Sequence, residues 1–578
     1  MLIFNTNYFI NIISFLGILV IFMLYEKNFF DKNPMQVDVR VALAFPNEYR
    51  TAMSNLGFQI VYGLLNDRID MFCERVVYPF TRTLETGSPI GDFDVIAFSL
   101  QYEEDYFNVL KMLDDAGIPL RREDRGENYP IIMAGGPCAS SNPSVLSDYI
   151  DLFIVGEAEE SIDKIFNRFA FMQDRHNQLD TLAHIPGVYI PECENSADLC
   201  IVDDMKLAYS NMNPIITETD DDQFKPVFGE AILLNISRGC SRGCRFCMSS
   251  YLYRPQREAS VSSLVEYCEY VREHHGLEKV AFIGAAVSDY SNISELIGEL
   301  ESKGFQVSVP SMRLESITPE ILTRLKSSGL KTLTLAPESI YKLRRQMNKD
   351  ISDKQFFKVV REALSLGFNL KFYFLIGLPT ETDEDIEELI TYIKKINNMS
   401  GEVKVKGLSG DNIEGESKNI HPRMSFSINP VIPKPHTPLQ WYPYDMKSNK
   451  KKIKHMKKEL NGLDVKFDSA RMGLIQYVLA CGDHNTGKLL EQSLITKLTT
   501  QDWLNNTPEY ELDDPLPWDN INVRADKEFL KEEYQKIYDD KLTPWCENDG
   551  CHNCGPCTPE QKKVKKNNKK ILSRLIKW

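Results

Sequence analysis

The sequence predicts an α/β protein: a doubly wound domain, a partial (β/α)6 barrel behind it, and a small cysteine-rich C-terminal region. Three observations lead there. Short apolar runs alternate with helix-spaced segments from Val37 to about residue 175, the pattern of a parallel sheet covered on both faces. Six further strand-like runs, alternating with helical segments, lie between residues 229 and 440, fewer than the eight of a closed barrel. Seven of the 13 cysteines fall into two tight groups, Cys240/Cys244/Cys247 and Cys546/Cys551/Cys554/Cys557. In a long chain rich in Lys and Glu, that grouping points to metal sites in a reducing compartment rather than to disulfides. The bulk numbers agree: 578 residues exceed one hydrophobic core, and 43% apolar with 26% charged residues is ordinary for folded chains. A net charge of −15 argues against a general coat on nucleic acid.

In chain order, residues 1–35 come first. Tyr8–Tyr25, YFINIISFLGILVIFMLY, is an uncharged run of 18 residues, at the lower limit for a membrane-spanning helix. Lys27, Lys32 and Arg40 follow it and no Lys or Arg precedes it, so an anchor here would leave the bulk of the chain in the cytoplasm. The alternative is an extension ahead of a true start at Met35. A cleaved secretory signal is disfavoured, because the basic leader and the small-residue cleavage site are both missing. Residues 36–175 hold VRVALAFP, DVIAFSL, PIIMAGGP and LFIVGE as buried parallel strands. SNLGFQIVYGLLND, YFNVLKMLDDAG and ESIDKIFNRFAFM have helical spacing between them. In such a flavodoxin-like domain ligands bind at the strand C-termini, where Gly135-Gly136-Pro137 and Gly156-Glu157 fall. Tight turns alone would account for the same glycines.

Residues 176–228 read as a mixed linker. Residues 229–440 carry the barrel runs AILLNI, KVAFIGAAV, FQVSVPS, LKTLTLAPE, LKFYFLIGLP and MSFSINPVIP, with helices such as ITPEILTRLKSSG and DEDIEELITYIKKI. Chemistry in a barrel of this kind sits at the C-terminal ends of the strands, and the first cysteine group follows the first strand. Residues 441–578 open with the basic helical stretch MKSNKKKIKHMKKEL and continue through ARMGLIQYVLACGDH and an acidic loop. They end in CENDGCHNCGPC and a lysine-rich tail.

Within NISRGCSRGCRFCMS, three thiols stand in eight residues with no fourth nearby. A structural zinc site closes with four protein ligands, so three suggest a metal centre left open at one position. C-x3-C-x2-C, with Phe246 before the last cysteine and a strand before the first, is similar to the signature of the radical SAM (S-adenosylmethionine) superfamily. That resemblance implies a [4Fe-4S] cluster on Cys240, Cys244 and Cys247, with S-adenosylmethionine on the fourth iron and reductive cleavage to a 5′-deoxyadenosyl radical. Thiolates are the ligands such clusters need, and Arg242 and Arg245 are expected to favour them by their charge. The competing reading is a zinc knuckle completed by Cys268, His274 or His275.

The resemblance extends along the barrel. IGAAVSDYS stands where the superfamily carries a Gly-Gly-Glu-like motif, so Gly284, Ala285 and Ala286 would act through backbone, and Ser288, Asp289 or Tyr290 through side chains. Arg313, in SVPSMRLES, is expected to pair with the methionine carboxylate. Glu338, in LAPES, is expected at the amino or ribose groups, and Leu375–Pro379, with Gly377 at its centre, near adenine. For each residue a surface salt bridge or a turn is the plainer reading. No residue is singled out as catalytic.

The domain order, with MSNLGFQIVYGLLN, IMAGGPCASSNP and VIPKPHTPLQW, resembles the radical SAM class that carries an N-terminal cobalamin-binding-like domain, over most of residues 37–560. Cobalamin is left open: residues 1–175 contain no histidine for the usual axial imidazole, although some relatives are thought to bind it without one. The four C-terminal cysteines suffice for a second iron–sulfur cluster or for zinc, with His552 to spare. The tail KKVKKNNKKILSRLIKW carries eight positive charges, read as a solvated end or a contact for RNA phosphates or anionic lipid. Two functions follow. One is a radical SAM enzyme, served by an electron donor such as ferredoxin or flavodoxin, transferring methyl or sulfur to an unreactive carbon of RNA, protein or a small metabolite. The other is a zinc-stabilised scaffold that binds RNA or a partner without radical chemistry.

Overall fold

The computed structural model describes residues 6–15, 18–30, 32–169, 175–219, 221–309, 312–403, 422–546, 551–557 and 562. The chain opens on an antiparallel pair, β1 (Thr6–Phe15) and β2 (Ile18–Lys27). This is the stretch expected as an anchor helix. Its Ile, Phe, Val and Tyr residues suit extended backbone as well as they suit lipid, and strand pairing wins. Among the described residues no helix is long and apolar enough to cross a membrane. Glu26, at the end of β2, is buried and accepts from Arg75 Nη1 at 3.0 Å and Nη2 at 2.6 Å, and from the Tyr49 hydroxyl. Glu26 therefore belongs to the buried charge cluster of the doubly wound domain.

The doubly wound sheet follows: β3 (Val39–Phe45), β4 (Met71–Val77), β5 (Val95–Ser99), β6 (Ile131–Gly135) and β7 (Leu152–Ile154), with β8 (Val188–Tyr189) as an antiparallel edge. The order β4-β3-β5-β6-β7 is that of flavodoxin-like sheets, with the switch between β3 and β5. β4, MFCERVV, is the strand that apolar runs do not reveal, because Glu74 and Arg75 interrupt it. Both are buried and paired: Glu74 with Arg40, Thr83 and Thr86, Arg75 with Glu26 and Glu85.

One face of this sheet lies under the helices Leu56–Asp67, capped by the Asn55 side chain, and Ile162–Phe169. The other lies under Tyr106–Asp115 and two C-terminal helices, Ala470–Cys481 and His484–Ile495. Asn142 Nδ2 donates to the carbonyls of Ala480 (3.0 Å) and Gly482 (2.8 Å), and the Tyr149 hydroxyl to that of Gly487 (2.9 Å). The connecting stretch holds β9 (Ala197–Asp198) and β10 (Ile216–Glu218), the latter paired with β2.

The barrel has two hydrogen-bonded parts. Strands β11 (Ile232–Asn235), β14 (Lys279–Ile283) and β15 (Gln306–Ser308) are parallel, and between the first two lies the small antiparallel pair β12 (Ser237–Arg238) and β13 (Arg257–Glu258). Strands β16 (Thr332–Glu338), β17 (Asn369–Ile376), β18 (Met424–Pro430) and β19 (Val465–Phe467) form the second parallel part. All six expected runs are strands, and β19 is a seventh, too short and polar to register in the sequence. No ladder joins β15 to β16 among the described residues, yet Leu234, Phe282, Leu335, Phe372 and Phe426 share one core across both parts. Helix Asp383–Glu402 starts at a reciprocal capping box between Thr382 and Asp385. Strand β20 (Ile521–Asn522) returns to pair with β9.

Candidate functional site

The first cysteine group occupies the excursion that β12 and β13 close at its base. Gly239 turns the chain there with φ +72°; a Cβ at that position would stand 2.0 Å from the Tyr253 carbonyl oxygen, so only glycine fits. The Cys247 amide donates to the Cys244 carbonyl at 3.0 Å, and the Arg245 amide to that of Met347 at 3.1 Å, which ties the loop to the end of the β16 unit. Cys240 and Cys244 are buried and Cys247 half-buried. Burial pushes the Cys240 thiol up and that of Cys247 up to about 11. Deprotonated sulfur is therefore costly here without a cation.

Arg313 supplies one. Its Nη1 donates to Cys244 Sγ at 3.5 Å, while Nη2 is held by Glu315 at 2.5 Å and Nε lies 3.7 Å from Asp289. Arg242 and Arg245, expected to provide this charge from within the loop, are turned to other partners. Arg242 binds Asp289 through Nε (2.8 Å) and Nη2 (2.7 Å) and lies 3.7 Å from the centre of the Trp545 ring. Arg245 is fully buried against Glu533 and the carbonyls of Gln346 and Lys541. The zinc-knuckle ligands are also occupied elsewhere: Cys268 sits in the barrel core, His274 stacks on Tyr270, and His275 meets the Met212 carbonyl at 2.8 Å.

After β14, Gly284 packs so tightly on β12 that a Cβ would come 2.8 Å from Ser237 Oγ. Ala285 is exposed and Ala286 buried. The Ser288 hydroxyl accepts from the Arg313 amide at 2.7 Å, and the buried Tyr290 hydroxyl donates to the Ala259 carbonyl at 2.7 Å. Ser288, Asp289 and Arg313 thus form one unit beside Cys244. Glu338, at the end of β16, is buried, has φ +67°, and accepts from Lys349 Nζ at 2.7 Å. A non-glycine residue in that conformation is a strained position that its surroundings must hold. Gly377 follows β17 with φ +75° and faces Asn449. Phe246 is half-buried on the barrel core. The structure therefore brings Gly284, Ser288 and Arg313 to the cysteine loop, while Glu338 and Gly377 stand at the same mouth with protein partners of their own. Lys349 and Asn348 carry no sequence signal; Asn348 Nδ2 donates to the carbonyls of Arg242 (3.3 Å) and Gly243 (3.1 Å).

The C-terminal cysteines come to rest against this loop. The Thr543 amide donates to Asn348 Oδ1 at 2.9 Å, Trp545 covers Arg242, and Arg254 and Cys554 line one cavity. Cys546, His552 and Cys554 share a small cavity with Ser241, Arg242 and Arg254. Cys554 is buried, and Cys546, Cys551 and Cys557 half-buried. The basic tail lies outside the described residues, Lys562 excepted. Among the described residues no three Cys, His, Asp or Glu side chains converge on one ion-sized position. Each thiolate of an iron–sulfur cluster binds an iron of its own, so a loop of three thiols with a neighbouring guanidinium is a donor set that suits one.

Comparison with known proteins bears on both halves. The family description "Radical SAM proteins, N-terminal" matches residues 57–191, and "Radical SAM superfamily" matches residues 234–393. The uncharacterized protein MJ0966 of Methanocaldococcus jannaschii is 33% identical over 78% of this chain and 91% of its own length. The putative methylthiotransferase MJ0865 of the same organism is 23% identical over 60% of this chain and 72% of its own. The solved structure of the radical S-adenosylmethionine methyltransferase TsrM from Kitasatospora setae overlaps with a TM-score of 0.44 at 13% identity, covering 62% of this chain and 71% of that one. The matched barrel segment contains the whole cysteine loop, and the similarity to MJ0966 runs through most of both chains. This chain belongs to the radical SAM superfamily, as an enzyme that works with a [4Fe-4S] cluster and S-adenosylmethionine.

Proposed function

We propose that Cys240, Cys244 and Cys247 hold three irons of the cluster, that S-adenosylmethionine occupies the fourth, and that the enzyme transfers a methyl or sulfur group to an unreactive carbon. The observation that carries the assignment is Arg313, whose guanidinium reaches Cys244 Sγ at 3.5 Å from a neighbouring strand end. When bound, the cluster supplies the electron that cleaves the sulfonium. The chain's own residues prepare for it. Arg313 offsets thiolate charge and is assigned to the methionine carboxylate, which would take the place of Glu315 on its guanidinium. Gly284–Ala286 offer backbone groups, with Ala285 exposed, Ser288 fixes the Arg313 main chain, and Glu338 and Gly377 line the same mouth. Cys546, Cys551, Cys554 and Cys557 are assigned to a second metal centre, an iron–sulfur cluster or zinc, because all four donors are soft thiolates. A ferredoxin- or flavodoxin-type donor provides the electrons.

Anaerobic reconstitution with iron and sulfide tests this reading. It predicts visible iron–sulfur absorption and release of 5′-deoxyadenosine under reduction, both lost from the first centre in Cys244→Ala. Colourless, zinc-loaded protein that leaves S-adenosylmethionine intact would overturn it.

A further inference from the structure

We infer that a cavity of about 300 Å3 between the doubly wound domain and the barrel is the substrate site, and that it takes an uncharged, mainly apolar small molecule. The word substrate rests on the radical SAM reading above; the ligand class rests on the cavity itself.

One wall is made by the C-terminal ends of β3, β5, β6 and β7, around the switch point where doubly wound sheets receive ligands. The opposite wall belongs to the barrel and includes Arg238, two residues before Cys240, and Ile283, the residue before Gly284. Anything bound there lies beside the mouth that holds the cysteine loop. The glycines noted in the sequence serve both of their readings: Gly136 (φ +104°) and Gly156 (φ +105°) make turns that no Cβ could enter, and both line the cavity.

Leu56, Ile60, Val61, Met133, Ile154 and Ile162 give the cavity apolar walls. The charges at its edge are already matched within the protein. Arg238 pairs with Glu157 at 3.2 Å and Glu159 at 2.7 Å, and Arg257 takes Glu157 at 2.8 Å. Two carboxylates and two guanidinium groups cancel, so a charged ligand would find no counter-ion and would bear an uncompensated desolvation cost. A volume of about 300 Å3 is at the small end of ligand pockets, which run from roughly 300 to 1,000 Å3.

These features disagree with cobalamin. The usual axial imidazole has no donor in residues 1–175, and the charged groups that line the cavity, Arg238, Glu157 and Glu159, are paired among themselves. The domain keeps the sheet of a cobalamin-binding fold while its crevice suits a different occupant, since fold does not dictate ligand.

The test uses N-phenyl-1-naphthylamine, an uncharged apolar fluorophore, titrated into the full-length reconstituted protein. Saturable one-to-one binding is expected, weakened by about tenfold or more in Val61→Trp and in Leu56→Trp, which fill the cavity from two positions on one helix. Iron content and far-UV circular dichroism identify a variant that fails to fold, and the other then decides. Hydroxocobalamin is titrated in parallel, and no binding and no displacement of the fluorophore are expected. Absence of saturable fluorophore binding, or binding that both tryptophans leave unchanged, overturns the site. Stoichiometric hydroxocobalamin binding that displaces the fluorophore overturns the ligand class. Release of 5′-deoxyadenosine by the wild-type protein is read separately: its failure with intact fluorophore binding removes the radical reading and leaves the cavity standing.

Discussion

Arg242 joins the first cysteine loop, the end of β14 and the C-terminal segment, and the cost of removing it follows from the contacts. The Asp289 carboxylate is fully buried and accepts two guanidinium N–H groups from Arg242, at 2.8 and 2.7 Å. Arg242→Met leaves it the Ser316 hydroxyl and Arg313 Nε, the latter 3.7 Å away. Breaking a buried pair typically costs ~3–5 kcal/mol, and the two remaining partners place this one near the lower end, about 3 kcal/mol. Trp545→Ala removes a ring 3.7 Å from the same guanidinium, worth about 1–2 kcal/mol for a largely desolvated cation–π contact. Because Trp545 acts through Arg242, the double variant is expected to lose less than the sum by about that amount. Anaerobic urea unfolding, followed by far-UV circular dichroism and by cluster absorption, reads all three variants, and both midpoints should fall in each single variant. Wild-type midpoints in Trp545→Ala, or losses that add within ~0.3–0.5 kcal/mol, would refute a C-terminal segment that clamps the cysteine loop.

Three further outcomes are expected. Arg313→Gln should slow 5′-deoxyadenosine release by about ten- to hundredfold, matching the ~1.5–3 kcal/mol of a charge-assisted hydrogen bond; an unchanged rate would count against Arg313 at the site. Burial pushes His436 down to about 4, with Nε2 3.0 Å from the Ser141 carbonyl. The unfolded chain then binds the extra proton first, so stability is full above about pH 6.5 and falls towards pH 4, by about 3 kcal/mol in all. His436→Gln should flatten that slope in acid denaturation, and a slope equal to wild type would sink the assignment. Glu26→Ala leaves the buried Arg75 with Glu85 alone and should cost up to about 3 kcal/mol, seen as a lower melting temperature; an unaltered one would mean Glu26 does not hold that charge.

The strands that are legible in the sequence are those whose burial is written in their own residues. VRVALAFP and LKFYFLIGLP read as strands because a covered parallel sheet needs continuous apolar runs. β4 is hidden because Glu74 and Arg75 break its run, and they can be buried only since β2 and the residues around Thr83–Thr86 bring them partners. Tyr8–Tyr25 shows the opposite ambiguity. An uncharged run of eighteen residues suits a helix in lipid or two strands, and here β1 pairs with β2 while β10, about 190 residues downstream, adds to the end of β2 at Tyr25–Lys27.

At the site the division is similar. The number and spacing of Cys240, Cys244 and Cys247 are local facts, set by one short loop whose turn at Gly239 admits no side chain, so their chemistry is legible from the chain alone. Which cation faces those thiols is not. Arg242 and Arg245 are adjacent in sequence but point to Asp289 and Glu533, and Arg313 arrives from another strand end. Cys546–Cys557 likewise look independent until Trp545 and Thr543 seat them on the first loop. Spacing along a chain decides what a few neighbouring atoms can bind, because covalent geometry holds them close. Charge pairing, burial and the shape of a cavity depend on which distant groups the folded core brings together, and those only the tertiary structure decides.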